Sequence, residues 1–480
     1  MPVLDKLQPQ EVFHYFEEIS QIPRGTFDTK AVSDYCVKFA ERHGLEVIQD
    51  NLNNVIMKKP GTKGYENSEP VIIQGHLDMV CEKTKNSAHD FAKDSLSLYI
   101  EDGFVKAKDT TLGADNGIAV AMGLAVLASE EIPHPPLEVL FTVDEEVGMD
   151  GAKEVDLTRL KGRMLLNLDS DDEDTIIAGC AGGVAFRMNL PVDRRPEKGN
   201  CLEVTIHGLK GGHSGVEIDR QRGNANKLAG RLLNHLQQNV KFSLADIQGG
   251  AKENVIPSIC KFTLLVQDDR RAEDSIKDML EIWKQEFGAD EPDLDITIKN
   301  TGLAELPVMC DSDMQKVIFF INTCPNGVNS FSRSLKGLVE TSDNLGVTSA
   351  EESKVSFLIL VRSSVSSRLE EMKEIFAGWA KFLGGTYGFS GEYPAWMYKE
   401  DSKIRPITVE AFEAIHGEKP EIATIHAGLE CGILTGKKPD LDCVSFGPKM
   451  YDIHSVNERL DIASTERIWN ILKEILKRCK

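Results

Sequence analysis

Five short segments place acidic or histidine side chains at the end of an apolar run. They read VIIQG-His76-Leu77-Asp78, LGA-Asp115-NG, LFTVD-Glu145-Glu146-VG, MLLNL-Asp169-Ser170 and GPKMYDI-His454-Ser455. Together they supply imidazoles and carboxylates enough for a pair of divalent cations sharing a bridging ligand, with one carboxylate left over as a base. That inventory points to metal-assisted hydrolysis: the cations acidify water and polarise a carbonyl while the spare carboxylate shuttles a proton.

Each segment has a plainer reading. A lone His-x-Asp is usually a satisfied core histidine. At a strand end, however, Asp78 shares a face with His76 and can fix its tautomer. Asp115, after a Gly-Ala turn, reads equally well as a helix cap. Glu145-Glu146 is the sharpest pair. On an extended strand end, adjacent carboxylates face different sides, so one can bind metal while its neighbour faces water. Asp169 is the first polar group after MLLNL, and the acidic run at 171–174 reads as a solvated face. His213, in LKGGHSG, is a turn histidine in backbone that a ligand could approach closely. Ser214 does not make a nucleophile elbow, because Val216 stands where a glycine is required. No HExxH motif occurs.

These residues need a frame. Positions 9–23 read as an amphipathic helix with Val12, Phe13, Phe16 and Ile19 on one face. Short β-rich runs (Val71–Gln74, Leu137–Val143, Met164–Leu168) alternate with helical stretches such as Ile118–Ser129, which predicts an α/β sheet with helices on its faces. Ligand sites in such sheets lie at the carboxyl ends of strands, where His76, Glu145, Glu146 and Asp169 fall. A polar, Pro-rich stretch near 188–200 reads as a boundary. A new α/β pattern follows: a strand in CLEVTIHGL, a helix from Asn224 to Gln238, strands in GLVETSDNLGV and KVSFLILVRSS, and a helix from Ser367 to Leu383. The expected organisation is a discontinuous metal-binding catalytic domain, 1–187 plus 395–480, with an inserted α/β sandwich lid and dimerisation domain at 188–394, built from two related units. The final helix should follow Ser464 or Thr465 as its N-cap.

The 480 residues, 41% hydrophobic and 27% charged, are those of a globular enzyme of two or three domains. A net charge of -21 argues against nucleic acid as partner. The amino terminus lacks a signal pattern, and the longest apolar run, Gly117–Ala128, is too short to span a bilayer. The 10 cysteines form no CxxC pair and read as reduced, mostly buried thiols, so a cytoplasmic location is expected.

With these residues in hand, the chain resembles the aminoacyl-histidine dipeptidases, or cytosol non-specific dipeptidases, of the aminoacylase and carnosinase metallopeptidase family. GHLDMV, TTLGADNGI, EEVGMDGA, NLDS, AGCAGG, LKGGHSG, GNANKL, CPNGV and IHAGLECG carry the likeness over essentially the whole chain. The resemblance implies a mixed-sheet dimetal peptidase with a lid, two divalent ions (zinc first, cobalt or manganese as substitutes), and a homodimer. It implies that His76 and Asp169 bind one ion and Glu146 and His454 the other, with Asp115 bridging them. Glu145 would be the general base, Asp78 would orient His76, and His213 would stabilise the oxyanion. Asn254 in NVIP and Arg362 in LVRSS would hold substrate, with Gly428 and Glu430 lining the pocket. Two departures stand out. Asp144 adds a third acid before the pair, which leaves open whether base and ligand sit one position earlier, and His454 lies in DIHSVNE where the family suggests GPHSPDE. The expected reaction is hydrolysis of dipeptides, Xaa-His among them, by a metal-bridged hydroxide. An N-acyl amino-acid deacylase or carboxypeptidase is the alternative within the family. A non-catalytic metal-binding protein is the alternative outside it, and the spare Glu145 speaks against that.

Overall fold

A computed structural model describes residues 2–333 and 335–480. The chain forms two compact units. One comprises Met1–Cys180, Trp396–Thr424 and Leu429–Lys480; the other comprises Ala181–Ala395 with Ile425–Gly428. The first crossing precedes strand Gly182–Pro191, which pairs with Lys354–Ser363 and Thr386–Tyr393 in the second unit. The polar stretch read as a boundary near 188–200 is instead the hairpin joining Gly182–Pro191 to Arg194–His207 inside that unit.

The first unit is built on an eight-stranded mixed sheet. Its centre is parallel: Leu137–Thr142, Val71–His76, Met164–Asn167 and Asp442–Ser445 lie side by side. These strands are buried along almost their whole length, which is why they read as continuous apolar runs rather than alternating ones. Helix Gln10–Ser20 buries Val12, Phe13, Phe16 and Ile19, as the spacing predicts. Helix Ala114–Ala128 is apolar nearly all round and buried accordingly. The last helix, Ile462–Arg478, starts earlier than expected. Its N-cap is Asp461, whose carboxylate accepts the Ser464 amide, while Ser464 and Thr465 are buried inside the first turn.

In the second unit the strands form one antiparallel sheet in the order Asp295–Met309, Arg194–His207, Cys260–Val266, Phe242–Gly249, Val339–Ala350, Lys354–Ser363, Gly182–Pro191 and Thr386–Tyr393, with Gly327–Phe331 added beside Val339–Ala350. The sheet has two halves. Phe242–Gly249 and Val339–Ala350 meet only through Gln248↔Ser349 and Gly249↔Thr348. Helices Ala225–Asn239, Asp269–Phe287, Asp311–Thr323 and Ser366–Leu383 contribute to its hydrophobic core.

Cys81 is exposed and Cys310 half-buried; the other cysteines are buried, and all are free thiols. Among the described residues no helix is long and apolar enough to cross a membrane.

Candidate metal centre

The parallel strands of the first unit end on one side, and their ends carry the donors. His76 closes Val71–His76, Asp169 follows Met164–Asn167, and Glu145 and Glu146 follow Leu137–Thr142. The pair does not lie on an extended end as expected. The strand stops at Thr142, Asp144 takes a left-handed φ of 55°, and a turn carries both glutamates. Asp144 also turns away: its Oδ1 accepts the Phe27 amide at 2.7 Å. Asp115 opens helix Ala114–Ala128, and His454 comes from the loop between the short strands Met450–Tyr451 and Arg459–Asp461.

Asp115 sits at the middle of the cluster. Its Oδ1 is 3.1 Å from His76 Nε2, and its Oδ2 is 3.2 Å from His454 Nε2. His454 Nε2 is 3.0 Å from Glu146 Oε2, and His76 Nε2 is 3.6 Å from Asp169 Oδ1. Glu145 stands slightly back, its Oε2 3.9 Å from His76 Nε2. His76, Asp115 and Glu146 each offer a ligand atom, and those atoms lie within 4.8 Å of one another.

Whether these residues fit divalent cations can be tested on the donors themselves. His76 Nδ1 faces only acceptors, Asp78 O at 3.1 Å and Asp78 Oδ1 at 3.4 Å, so it carries a hydrogen and leaves Nε2, which faces the carboxylates, as the ring atom a cation would take in place of a proton. Ligands about 2.0–2.1 Å from a tetrahedral zinc are roughly 3.3 Å apart, and the observed separations bracket that value. Glu146 Oε1 is buried without a partner among the described residues. The donors fit.

Electrostatics agree. Burial pulls the His76 imidazolium down, but Asp169, Asp115 and Asp78 outweigh it, and its pKa lies well above the ordinary histidine value. Hydrogen bonds to Asp115 and Glu146 push His454 up to about 10. Burial pushes the carboxyls of Glu145, Glu146 and Asp169 up. Asp115 goes down instead: burial opposes this, and the two imidazoles override it. The cluster is thus a nest of negative charge with too little positive charge of its own, which cations would supply.

Sequence reasoning gave Asp78 one task, and the structure gives it more. Its carboxylate also accepts the Glu145 amide at 3.1 Å, the Glu146 amide at 3.3 Å and the Thr26 hydroxyl at 3.0 Å, so one fully buried group sets both His76 and the glutamate pair. Two positioning groups were missed. Glu458, buried, accepts the amides of Leu112, Gly113, Ala114 and Asp115 at 2.7–3.3 Å and so caps the helix that presents Asp115. Arg24, also buried, donates to the carbonyls of Leu77, Asp78 and Gly113, tying the His76 strand end to the same helix start. The signal for Glu458 was its fixed spacing after His454; Arg24 had none. The run at 171–174 is not wholly solvated: Glu173 is buried and held by both Arg467 Nε and Nη2. Glu430 does not face open space. It is fully buried, and its Oε2 accepts from Gln74 at 2.6 Å and Thr142 at 2.7 Å.

The remaining candidates lie in the second unit, where Gly428 is also found. Gly212–His213 pairs with Val255–Ile256, and the Ser214 amide donates to Asn254 O at 2.9 Å. His213 Nδ1 accepts the amides of Gly215 and Val216, each at 3.2 Å, which leaves Nε2–H as the free donor. Burial, then the charge of Arg362, lowers the His213 pKa and keeps the ring neutral. Arg362 Nη1 donates to Ser214 Oγ at 2.8 Å, and its buried Nε has no partner among the described residues. His213, Asn254 and Arg362 are therefore joined through one short ribbon. Beside it, Ser342 Oγ and His426 Nε2 are 2.7 Å apart.

Comparison with known proteins places this arrangement. Cytosol non-specific dipeptidase of Escherichia coli (strain K12) is 38% identical over 483 residues, covering 99% of each chain. The crystal structure of aminoacylhistidine dipeptidase from Vibrio alginolyticus superposes with a TM-score of 0.92 at 40% identity, covering 99% of this chain and 98% of that one. Aminopeptidase PepT from Bacillus cereus shares the fold, with a TM-score of 0.57 at 16% identity over 98% and 99% of the two chains. The family model described as Peptidase family M20/M25/M40 matches residues 72–478. The chain belongs to the peptidase family M20/M25/M40.

Proposed function

We propose that this peptidase hydrolyses dipeptides of broad sequence, Xaa-His among them, using two divalent ions, zinc by the nature of the donors. His76, Asp169 and Asp115 would hold one ion, and Glu146, His454 and Asp115 the other. The cation pair, when bound, lowers the pKa of water and polarises the scissile carbonyl. Glu145 takes the proton from the attacking water and returns it to the leaving amine. Asp78 keeps His76 in the tautomer that leaves Nε2 free to bind. His213 donates from Nε2–H to the developing oxyanion. Arg362 pairs with the substrate's terminal carboxylate, Asn254 hydrogen-bonds the substrate backbone, and Gly428 leaves it room. These groups belong to two different units of the chain, and the protein acts as a homodimer. The names of the relatives support dipeptides as substrates and the cytosol as location.

The observation that carries this reading is Asp115, whose two oxygens face two different imidazoles at 3.1 and 3.2 Å. The test is a panel of free dipeptides, C-terminally amidated dipeptides, tripeptides and N-acyl amino acids, assayed with the zinc-loaded protein. Free dipeptides should be cleaved best. Arg362→Lys should lose ~2 kcal/mol or more in kcat/KM, because an ammonium cannot make the two parallel hydrogen bonds of a guanidinium. Equal kcat/KM for free and amidated forms would reject the carboxylate clamp, and a preference for N-acyl amino acids would reject the dipeptidase reading.

A further inference from the structure

The loop bearing Asn254 is gripped from behind by one side-chain amide. Asn344, fully buried on strand Val339–Ala350, donates to Glu253 O and to Val255 O, each at 2.9 Å. Those carbonyls flank Asn254. A reversed amide would set oxygen against two carbonyl oxygens, and Asn344 Oδ1 accepts from Asn224 Nδ2 at 3.1 Å, so the orientation is fixed. Asn224 is pinned in turn. Its Oδ1 caps helix Ala225–Asn239 through the amides of Asn226 and Lys227, and its Nδ2 also reaches Asn326 Oδ1 and Leu345 O. The backbones press together with nothing between them. A Cβ at Gly346 would lie 2.6 Å from Glu253 Cα, and one at Gly250, where φ is +72°, would lie 1.8 Å from Gly346 O. The Asn254 side chain, by contrast, is half-buried, and among the described residues it makes no hydrogen bond to the protein.

A loop whose backbone is clamped on both sides of one residue, while that residue's side-chain amide makes no protein hydrogen bond, is built to hold the amide out to something else. We propose that Asn344 is a positioning residue that aims the Asn254 amide at the peptide substrate. It acts through the carbonyls of Glu253 and Val255. The inference rests on the reading of Asn254 as a substrate-holding group.

The experiment is a double-mutant cycle on the full, zinc-loaded chain with a free dipeptide: Asn344→Ala, Asn254→Ala and both together. Asn344→Ala should lower kcat/KM about 10- to 100-fold, the loss expected when a contact group is misplaced by about 1 Å. It should fall mainly on KM and leave metal content unchanged. In the Asn254→Ala background the same change should cost less than about 2-fold, because the group it acts through is gone. Additive losses, or a silent Asn344→Ala beside a damaging Asn254→Ala, overturn the proposal while leaving the substrate role of Asn254 intact. A silent Asn254→Ala overturns both. Hydrogen exchange on the unmodified protein gives a reading that no folding defect can obscure. Peptides spanning 251–257 should exchange slowly despite their surface position, and rapid exchange there overturns the clamp.

Discussion

Glu145 and Asp115 separate two jobs that a cluster of carboxylates could otherwise share. Glu145 stands 3.9 Å from His76, outside the tight set, whereas each oxygen of Asp115 touches a different imidazole. Glu145→Gln should therefore bind metal as the parent does and lose at least ~100-fold in kcat, the lower range for general acid–base catalysis. Kinetics beside elemental analysis check this, and near-normal turnover would remove the base role. Asp115→Ala should weaken both ions, whereas His76→Ala should weaken chiefly one. Competition with a chelator, read as ions retained per chain, distinguishes them; one ion per parent chain at saturating metal would end the paired-ion mechanism. His76, Glu145, Glu146 and Asp169 were legible as candidates because each lies at or just past the carboxyl end of an apolar strand. The extended end expected at Glu145–Glu146 is a turn instead, and a turn also points neighbouring side chains apart.

At the scale of elements, the donors are only as well placed as the strand ends and helix start that carry them. Glu458 gives four backbone amides one anionic acceptor at the first turn of the Asp115 helix. Glu458→Gln keeps the shape and removes the charge. It should cost about 2 kcal/mol of stability, the scale of charge-assisted hydrogen bonds, and should also lower metal affinity. Calorimetry and metal competition test it together; lost stability with unchanged affinity would confine Glu458 to a capping role. Such groups are hard to find in sequence. The glutamate stands over 340 residues from the amides it serves, and no local pattern records a contact of that range. Strand and helix positions were easier, since burial leaves a period in the chain: helix Asn224–Gln238 was expected, and Ala225–Asn239 with an Asn224 cap is found.

For the molecule as a whole, acid is the dominant charge, and one buried acid links stability to pH. Burial raises Asp343 to about 7 from 3.8, against the pull of Asn329 and Lys227, and among the described residues its Oδ1 has no partner. Below pH 4 the group is neutral whether the chain is folded or unfolded. As pH rises toward 7 the unfolded chain releases the proton first, so folded stability falls across that window and then levels. Asp343→Asn should abolish this slope, gaining up to about 4 kcal/mol over the parent at pH 8 relative to pH 4. Urea titrations at the two values measure it, and parallel curves for both proteins would refute it. Nothing in TSDNLG distinguished this acid from its neighbours, because its surroundings come from residues far along the chain. The interrupted first unit has a consequence for synthesis. Residues 194–309 contain one complete half of the second unit's sheet and can close on themselves as they leave the ribosome. The first unit cannot, since Asp442–Ser445 must slot beside Met164–Asn167, and His454 and Glu458 follow it. A nascent chain therefore carries most of its donors but no finished site, and the hydrolase stays inert amid newly made polypeptide until its final strand arrives.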